Sequence, residues 1–254
     1  KKAKRDEFYA PPLGPLRILV VEDNPVNQKL VTKLLEKHDH FVSVANNGRD
    51  ALDEFSNKVF DIILMDLQMP VIDGYEAIKI IREKEKECGS HVPIIALSAH
   101  ALQTEKEKCI ALGFDEYVTK PIVTAELYSK IYNMFGLELK ISNQDSSSYR
   151  TDNALKALGG DLELLKELVE IFKSDYPIQY NKLLEAHKLN DIDAISKIAH
   201  RLKGSMGNLG STKGYRIAAK IEENAKENDC SQFDELFNEL NSEAQTIISS
   251  VKQL

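Results

Sequence analysis

From Leu16 to Phe135 the chain repeats one pattern five times: a short apolar run, then a longer stretch whose apolar residues recur at helical spacing. The runs are Leu16–Val21, Phe41–Ala45, Phe60–Met65, Val92–Leu97 and Tyr117–Val118. The stretches are Val26–Glu36, Gly48–Phe55, Tyr75–Lys84, Leu102–Leu112 and Thr124–Phe135. Short uninterrupted apolar runs suit strands buried on both faces, and the helices between them are the crossovers that parallel strands require. The pattern predicts an α/β doubly wound fold, a five-stranded parallel sheet with helices on both faces.

After Phe135 the pattern changes. Ser142–Ser148 is polar and serine-rich, and from Thr151 to Leu254 apolar residues keep helical spacing with no strand-like run, near Leu162–His187, Ile192–Leu209, Tyr215–Asn228 and Phe233–Val251. This half reads as an all-α helical bundle. A chain of 254 residues accommodates two such domains. The expected divisions are a tether over 1–15, stiffened by Pro11, Pro12 and Pro15, a first domain over 16–136, a linker over 137–150 and a second domain over 151–254. The opening Lys1-Lys2-Ala3-Lys4 carries neither an initiator Met nor an apolar stretch behind it, so it reads as part of something longer.

Composition removes some functions. Lys and Arg number 33 against 40 Asp and Glu, a net charge of -7, which argues against direct nucleic-acid binding. Apolar runs such as Ile18–Val21 and Ile62–Met65 fall far short of the roughly 20 residues that cross a bilayer, so no membrane contact is expected. Three cysteines, Cys88, Cys109 and Cys230, lack paired spacing and read as reduced thiols.

In a doubly wound sheet, functional groups gather beyond the carboxyl ends of the strands. Here those ends carry Glu22-Asp23, Asp66, Ser98 and Lys120-Pro121. Crowded carboxylates stay ionised only with a cation among them, and three acids beside a lysine suggest Mg²⁺, which prefers oxygen ligands and bridges carboxylate to phosphoryl oxygen. Asp23-Asn24-Pro25 alone reads equally well as ordinary helix entry, with Asn24 capping and Pro25 in the first turn.

Taken together, Val21-Glu22-Asp23-Asn24, Met65-Asp66-Leu67-Gln68-Met69-Pro70, Leu97-Ser98-Ala99 and Lys120-Pro121 resemble the receiver domain of response regulators, over roughly Leu16 to Gly136. The run Glu22-Asp23-Asn24-Pro25-Val26-Asn27-Gln28 resembles receivers attached to hybrid sensor histidine kinases. The resemblance implies Asp66 as phosphoacceptor, Glu22 and Asp23 as the acidic pocket, and the Gln68 main-chain carbonyl as a further Mg²⁺ ligand. It implies Lys120 as the charge on the phosphoryl oxygens, Ser98 and Tyr117 as switch residues, and a cis bond before Pro121. Tyr117 also reads as a plain strand aromatic. Ser98 stands where many receivers carry threonine, and His100 lies near enough to affect water access.

Of six histidines, His38, His40, His91 and His100 read as surface residues and His187 as a half-buried structural one. His200 differs. Ile192, Ile195, Ala199, Leu202 and Met206 form one helical stripe, and His200 lies opposite it with Lys203, Gly204 and Gly207 on the same outward face. Glycine inside a helix costs roughly 1 kcal/mol, so the pair suggests either clearance for an approaching partner or a helix that ends early at Gly204. The run Ala199-His200-Arg201-Leu202-Lys203-Gly204-Ser205, continuing to Gly210, resembles the histidine phosphotransfer domain over Thr151 to Leu254. It implies His200 as the phosphohistidine, supported by Lys203 and Gly204.

The two resemblances imply a two-component phosphorelay module. Its partners would be an upstream histidine kinase core and a downstream receiver, and its place the cytoplasm, including the cytoplasmic end of a membrane-bound sensor. No glycine-rich nucleotide lid is evident, so kinase chemistry would reside elsewhere. Two other readings are a docking scaffold and an aspartyl-phosphate phosphohydrolase. The latter wants a carboxylate two residues after Asp66, where Gln68 stands. The short linker leads to an expectation of transfer between chains rather than within one.

Overall fold

A computed structural model describes residues 14–99, 103–137, 155, 158 and 160–250. The tether up to residue 13, His100, the serine-rich stretch and the expected start at Thr151 lie outside the described residues. Strands β1 (Arg17–Val21), β2 (Phe41–Ala45), β3 (Ile62–Asp66), β4 (Ile94–Ser98) and β5 (Glu116–Thr119) form one sheet in the order β2-β1-β3-β4-β5. Every neighbouring pair is parallel. Strand β3 starts two residues later than the apolar run because the Asp61 carboxylate takes the Arg17 backbone N–H at 2.7 Å, where a ladder bond would form.

Helices α1 (Pro25–Glu36), α2 (Gly48–Asn57), α3 (Gly74–Cys88), α4 (Gln103–Leu112) and α5 (Thr124–Met134) alternate with the strands. Asn24 caps α1 by accepting from Val26 N at 3.0 Å, and Pro25 fills its first turn. Leu19, Met65 and Ala96 pack one sheet face against Ala77, Ile78 and Ile81 of α3. Ile18, Leu64 and Val118 pack the other against Val31 and Leu35 of α1 and Leu127 and Ile131 of α5.

The described residues of the second half form four helices, α6 (Leu162–Lys188), α7 (Ile192–Asn208), α8 (Thr212–Lys226) and α9 (Phe233–Ser250), with Asp161, Asp191 and Ser211 capping the first three. Its core contains Leu168, Phe172, Leu202, Ile221 and Phe237, and the same cluster includes Val26, Leu30 and Leu34 of α1. Helix α1 is therefore apolar on two sides, one against the sheet and one against the bundle. Among the described residues, no helix is long and apolar enough to cross a membrane.

Helix α7 runs through Gly204 to Asn208, as its apolar spacing predicts, and side chains of the first domain approach both that glycine and Gly207. Two expectations need correction. His40 is buried rather than a surface residue, its Nδ1 accepting the Leu16 N–H at 3.2 Å. The face bearing His200 and Lys203 is not outward: both are buried, with 9% and 4% exposure, beneath that domain and α8.

Candidate functional site

The sheet order places the ends of β1 and β3 side by side, where flanking connections diverge. There Glu22, Asp23 and Asp66 each bring a carboxylate oxygen within 4.8 Å of the others. Lys120, reached through a cis bond to Pro121, donates to Glu22 Oε2 at 2.6 Å and Asp66 Oδ2 at 2.7 Å. Gln68 N donates to Asp66 Oδ1 at 3.2 Å.

Burial pushes the Glu22 carboxyl up to about 8, with Asp66 and Asp23 adding to the rise and Lys120 opposing it. Asp23 is also raised, first by burial and then by Asp66. Burial alone would pull the Lys120 ammonium down, but Asp66 and Glu22 outweigh it and hold it above its ordinary value. One lysine thus under-compensates three acids, and their oxygens suit a hard divalent cation.

Ser98 ends β4 at 3% exposure, and its carbonyl accepts the Lys120 backbone N–H at 2.6 Å. Tyr117 is buried in the α3 and α4 side of the core, near enough for the Ser98 hydroxyl to lower a phenol that burial raises. Ser98 therefore stands beside the acidic pocket.

His200 reaches the same place from α7. Together with Lys203 and Gly204 it lines a cavity of ≈ 10 Å³ whose opposite wall is Glu22, Asp66 and Lys120. That volume suits about one water. A larger cleft of ≈ 350 Å³ opens on the other side of His200, beside Gln68 and Tyr75.

The imidazole is held from behind by Glu222 of α8, whose Oε1 is 3.2 Å from His200 Nδ1. Lys203 donates to the same carboxylate, and Lys226 does so at 2.6 Å. Burial alone would raise the Glu222 carboxyl, but His200 and Lys203 outweigh it and hold it well below the usual carboxylate range. Lys203, which the resemblance implies as support for the phosphohistidine, donates instead to Glu222. Burial draws its ammonium down against that partner.

Polar contacts join the two domains around the cavity. Arg201 donates to the Asp23 carbonyl at 2.8 Å and its Oδ2 at 3.1 Å, and pairs with Asp175 at 3.2 Å. Asn24 Nδ2 donates to the Arg201 carbonyl at 2.8 Å and Ser205 Oγ at 2.7 Å. Asn208 Nδ2 donates to Asn27 Oδ1 at 2.7 Å, and Asn208 Oδ1 accepts from Ile122 N at 3.3 Å. Glu222 lies outside every motif read from the sequence. Asn27, Arg201 and Asn208 lie inside such motifs without an assigned role, because nothing local marks a side chain as reaching a residue in another domain.

Residues 18–132 match the response regulator receiver domain model, and residues 167–249 match the Hpt domain model. The sensor histidine kinase GacS of Pseudomonas protegens is 30% identical over 229 residues, 85% of this chain and 25% of that protein. Hybrid signal transduction histidine kinase I of Dictyostelium discoideum is 48% identical over 122 residues, 46% of this chain and 7% of that protein. The chain thus spans a quarter or less of these relatives' length. A receiver domain of a Pseudomonas aeruginosa sensor histidine kinase, solved with magnesium in its active-site cleft, is 40% identical, with a TM-score of 0.44, covering 48% of this chain and 99% of that one.

Proposed function

Because the chain belongs to the two-component families, joining a response regulator receiver domain to an Hpt domain, we propose that it passes a phosphoryl group from Asp66 to His200 within one molecule. The observation that carries this reading is the single cavity that Asp66 and His200 both line. This proposal departs from the expectation of transfer between chains.

In the first step the N–P bond of a kinase phosphohistidine breaks as an Asp66 carboxylate oxygen bonds to phosphorus. In the second, His200 Nε2 bonds to phosphorus as the Asp66 O–P bond breaks, and Asp66 leaves as a carboxylate. Both steps ask mainly for alignment and for positive charge on the equatorial oxygens. Lys120 supplies one such charge, and Ser98 a hydroxyl. Glu22, Asp23, Asp66 and the Gln68 main-chain carbonyl would hold Mg²⁺, which supplies further charge neutralisation when bound. A downstream receiver then takes the group from His200.

The test is a phosphotransfer time course with a histidine kinase and Mg²⁺, comparing wild type, Asp66→Asn and His200→Gln. Wild type should carry acid-stable and acid-labile label; His200→Gln should keep only the aspartyl label and Asp66→Asn should carry none. Label on His200 in Asp66→Asn would sink the linear relay. Mixing Asp66→Asn with His200→Gln separates transfer in trans, expected to be much slower at low protein concentration.

A further inference from the structure

We propose that Asn27 and Asn208 form a specificity lock by which this Hpt domain selects the receiver that docks on it. The proposal rests on the intramolecular docking just described and adds to it a rule for which receivers fit.

Asn208, the last residue of α7, is 5% exposed, and both ends of its amide are used across the domain boundary. Its Nδ2 requires an acceptor at position 27, which Asn27 Oδ1 supplies at 2.7 Å. Its Oδ1 requires a free backbone N–H beyond Pro121, which Ile122 supplies at 3.3 Å. Asn27 in turn is fixed in that orientation, because its Nδ2 donates to Glu22 Oε1 at 3.0 Å and leaves its Oδ1 for Asn208. The amide therefore cannot flip to suit a different partner without opposing oxygen to oxygen.

Two glycines set the distance at which this works. A Cβ at Gly204 would lie 3.0 Å from Asn27 Nδ2, and one at Gly207 would lie 3.5 Å from the Pro121 Cβ and 3.1 Å from Tyr215. The clearance suggested by sequence is clearance for the first turn of α1 and for the loop at Pro121. Asn24 adds a second reading point, its Nδ2 on Ser205 Oγ.

Desolvated pairs of this kind discriminate strongly, because a partner lacking one group leaves the other buried and unpaired. A receiver with an apolar residue at the Asn27 position would strand the Asn208 amide, whereas exposed pairs at the rim, such as Lys29 with Glu167, tolerate exchange. Selection therefore comes from two asparagines next to the reaction site, and adhesion from the apolar face of α1.

The test is a double-mutant cycle in the full chain: wild type, Asn27→Ala, Asn208→Ala and the double variant, reading the rate at which label moves from Asp66 to His200. Any effect of Asn27→Ala through Glu22 occurs in both Asn208 backgrounds and cancels. We expect each single substitution to slow transfer about tenfold and the double to be little slower than either single. Asn208→Gln, which keeps the amide but displaces it, should behave as Asn208→Ala. Additive losses, or full transfer in Asn208→Gln, would overturn the lock. Absence of any Asp66-to-His200 transfer in wild type would instead refute the intramolecular relay itself.

Discussion

Glu222 Oε1 lies 3.2 Å from His200 Nδ1, inside a buried cluster that also takes the Lys203 and Lys226 ammonium groups. An ionised carboxylate only accepts hydrogen bonds, so it holds the proton of a neutral imidazole on Nδ1 and leaves the Nε2 lone pair free. In the proposed relay Glu222 would act through His200, as a positioning residue.

The first prediction follows. Glu222→Gln should slow arrival of label at His200 about tenfold to a hundredfold, the worth of one hydrogen bond to a charged group. Nitrogen NMR of the imidazole should show the Nδ1–H tautomer giving way to a mixture. An unchanged tautomer would remove the positioning role whatever the rate.

A second concerns α1. Its Val31 and Leu35 face the sheet while Val26, Leu30 and Leu34 belong to the bundle core. Leu30→Ala should weaken docking by about 2–5 kcal/mol while the sheet-facing side keeps the receiver folded. The check is residue-resolved histidine modification by mass spectrometry: His200, now 9% exposed, should react severalfold faster. No change would mean the apolar seam does not hold the domains together.

The charged rim should matter far less. Lys29 with Glu167 and Lys37 with Asp161 are ion pairs at 2.8 and 2.5 Å between partly exposed side chains. Such pairs contribute about 0–1 kcal/mol, so Lys29→Ala and Lys37→Ala should each leave His200 modification nearly unchanged, and raising salt should do the same. A large salt effect would assign docking to charge.

The fourth prediction is a pH slope. Burial lowers the His40 pKa below its ordinary 6.5, and His38 is lowered too, mainly by burial. Below 6.5 the unfolded chain takes up protons that the folded chain resists, so stability falls as pH drops through that value and is unaffected well above it. Glu22, raised to about 8, titrates in the opposite sense over the same range, so the His40 share is read as a difference: relative to wild type, the thermal midpoint of His40→Asn, whose side-chain oxygen stands in for Nδ1 towards Leu16, should rise from pH 7.5 to 5.5. A difference that stays flat or falls would exonerate His40.

Most of the fold was legible because β1, β3 and β4 are almost wholly buried runs and α1, α2, α3, α6, α7 and α8 each carry a side-chain cap, all of it local information. The acids and Lys120 were legible because the sheet order brings strand ends together. The covered face of α7 was not. A visible signal existed in α1, where Val26, Leu30, Val31, Leu34 and Leu35 span an arc of about 180° at 100° per residue, wider than the roughly 100° stripe of a helix with one buried side. The surplus half is the seam. Asn27, Asn208 and Glu222 carried no such periodic mark, since a single polar contact between distant segments leaves no pattern in either one.

Helix α1, packed on both sides, also fixes a concentration. Asp66 and His200 sit on elements held together by a shared wall, so in the proposed relay the donor would meet its acceptor at a local molarity set by architecture rather than by the amount of protein in solution. Dilution that would starve a relay between separate molecules would leave that encounter untouched. The translational entropy that two partners lose on meeting would already have been spent when the chain folded.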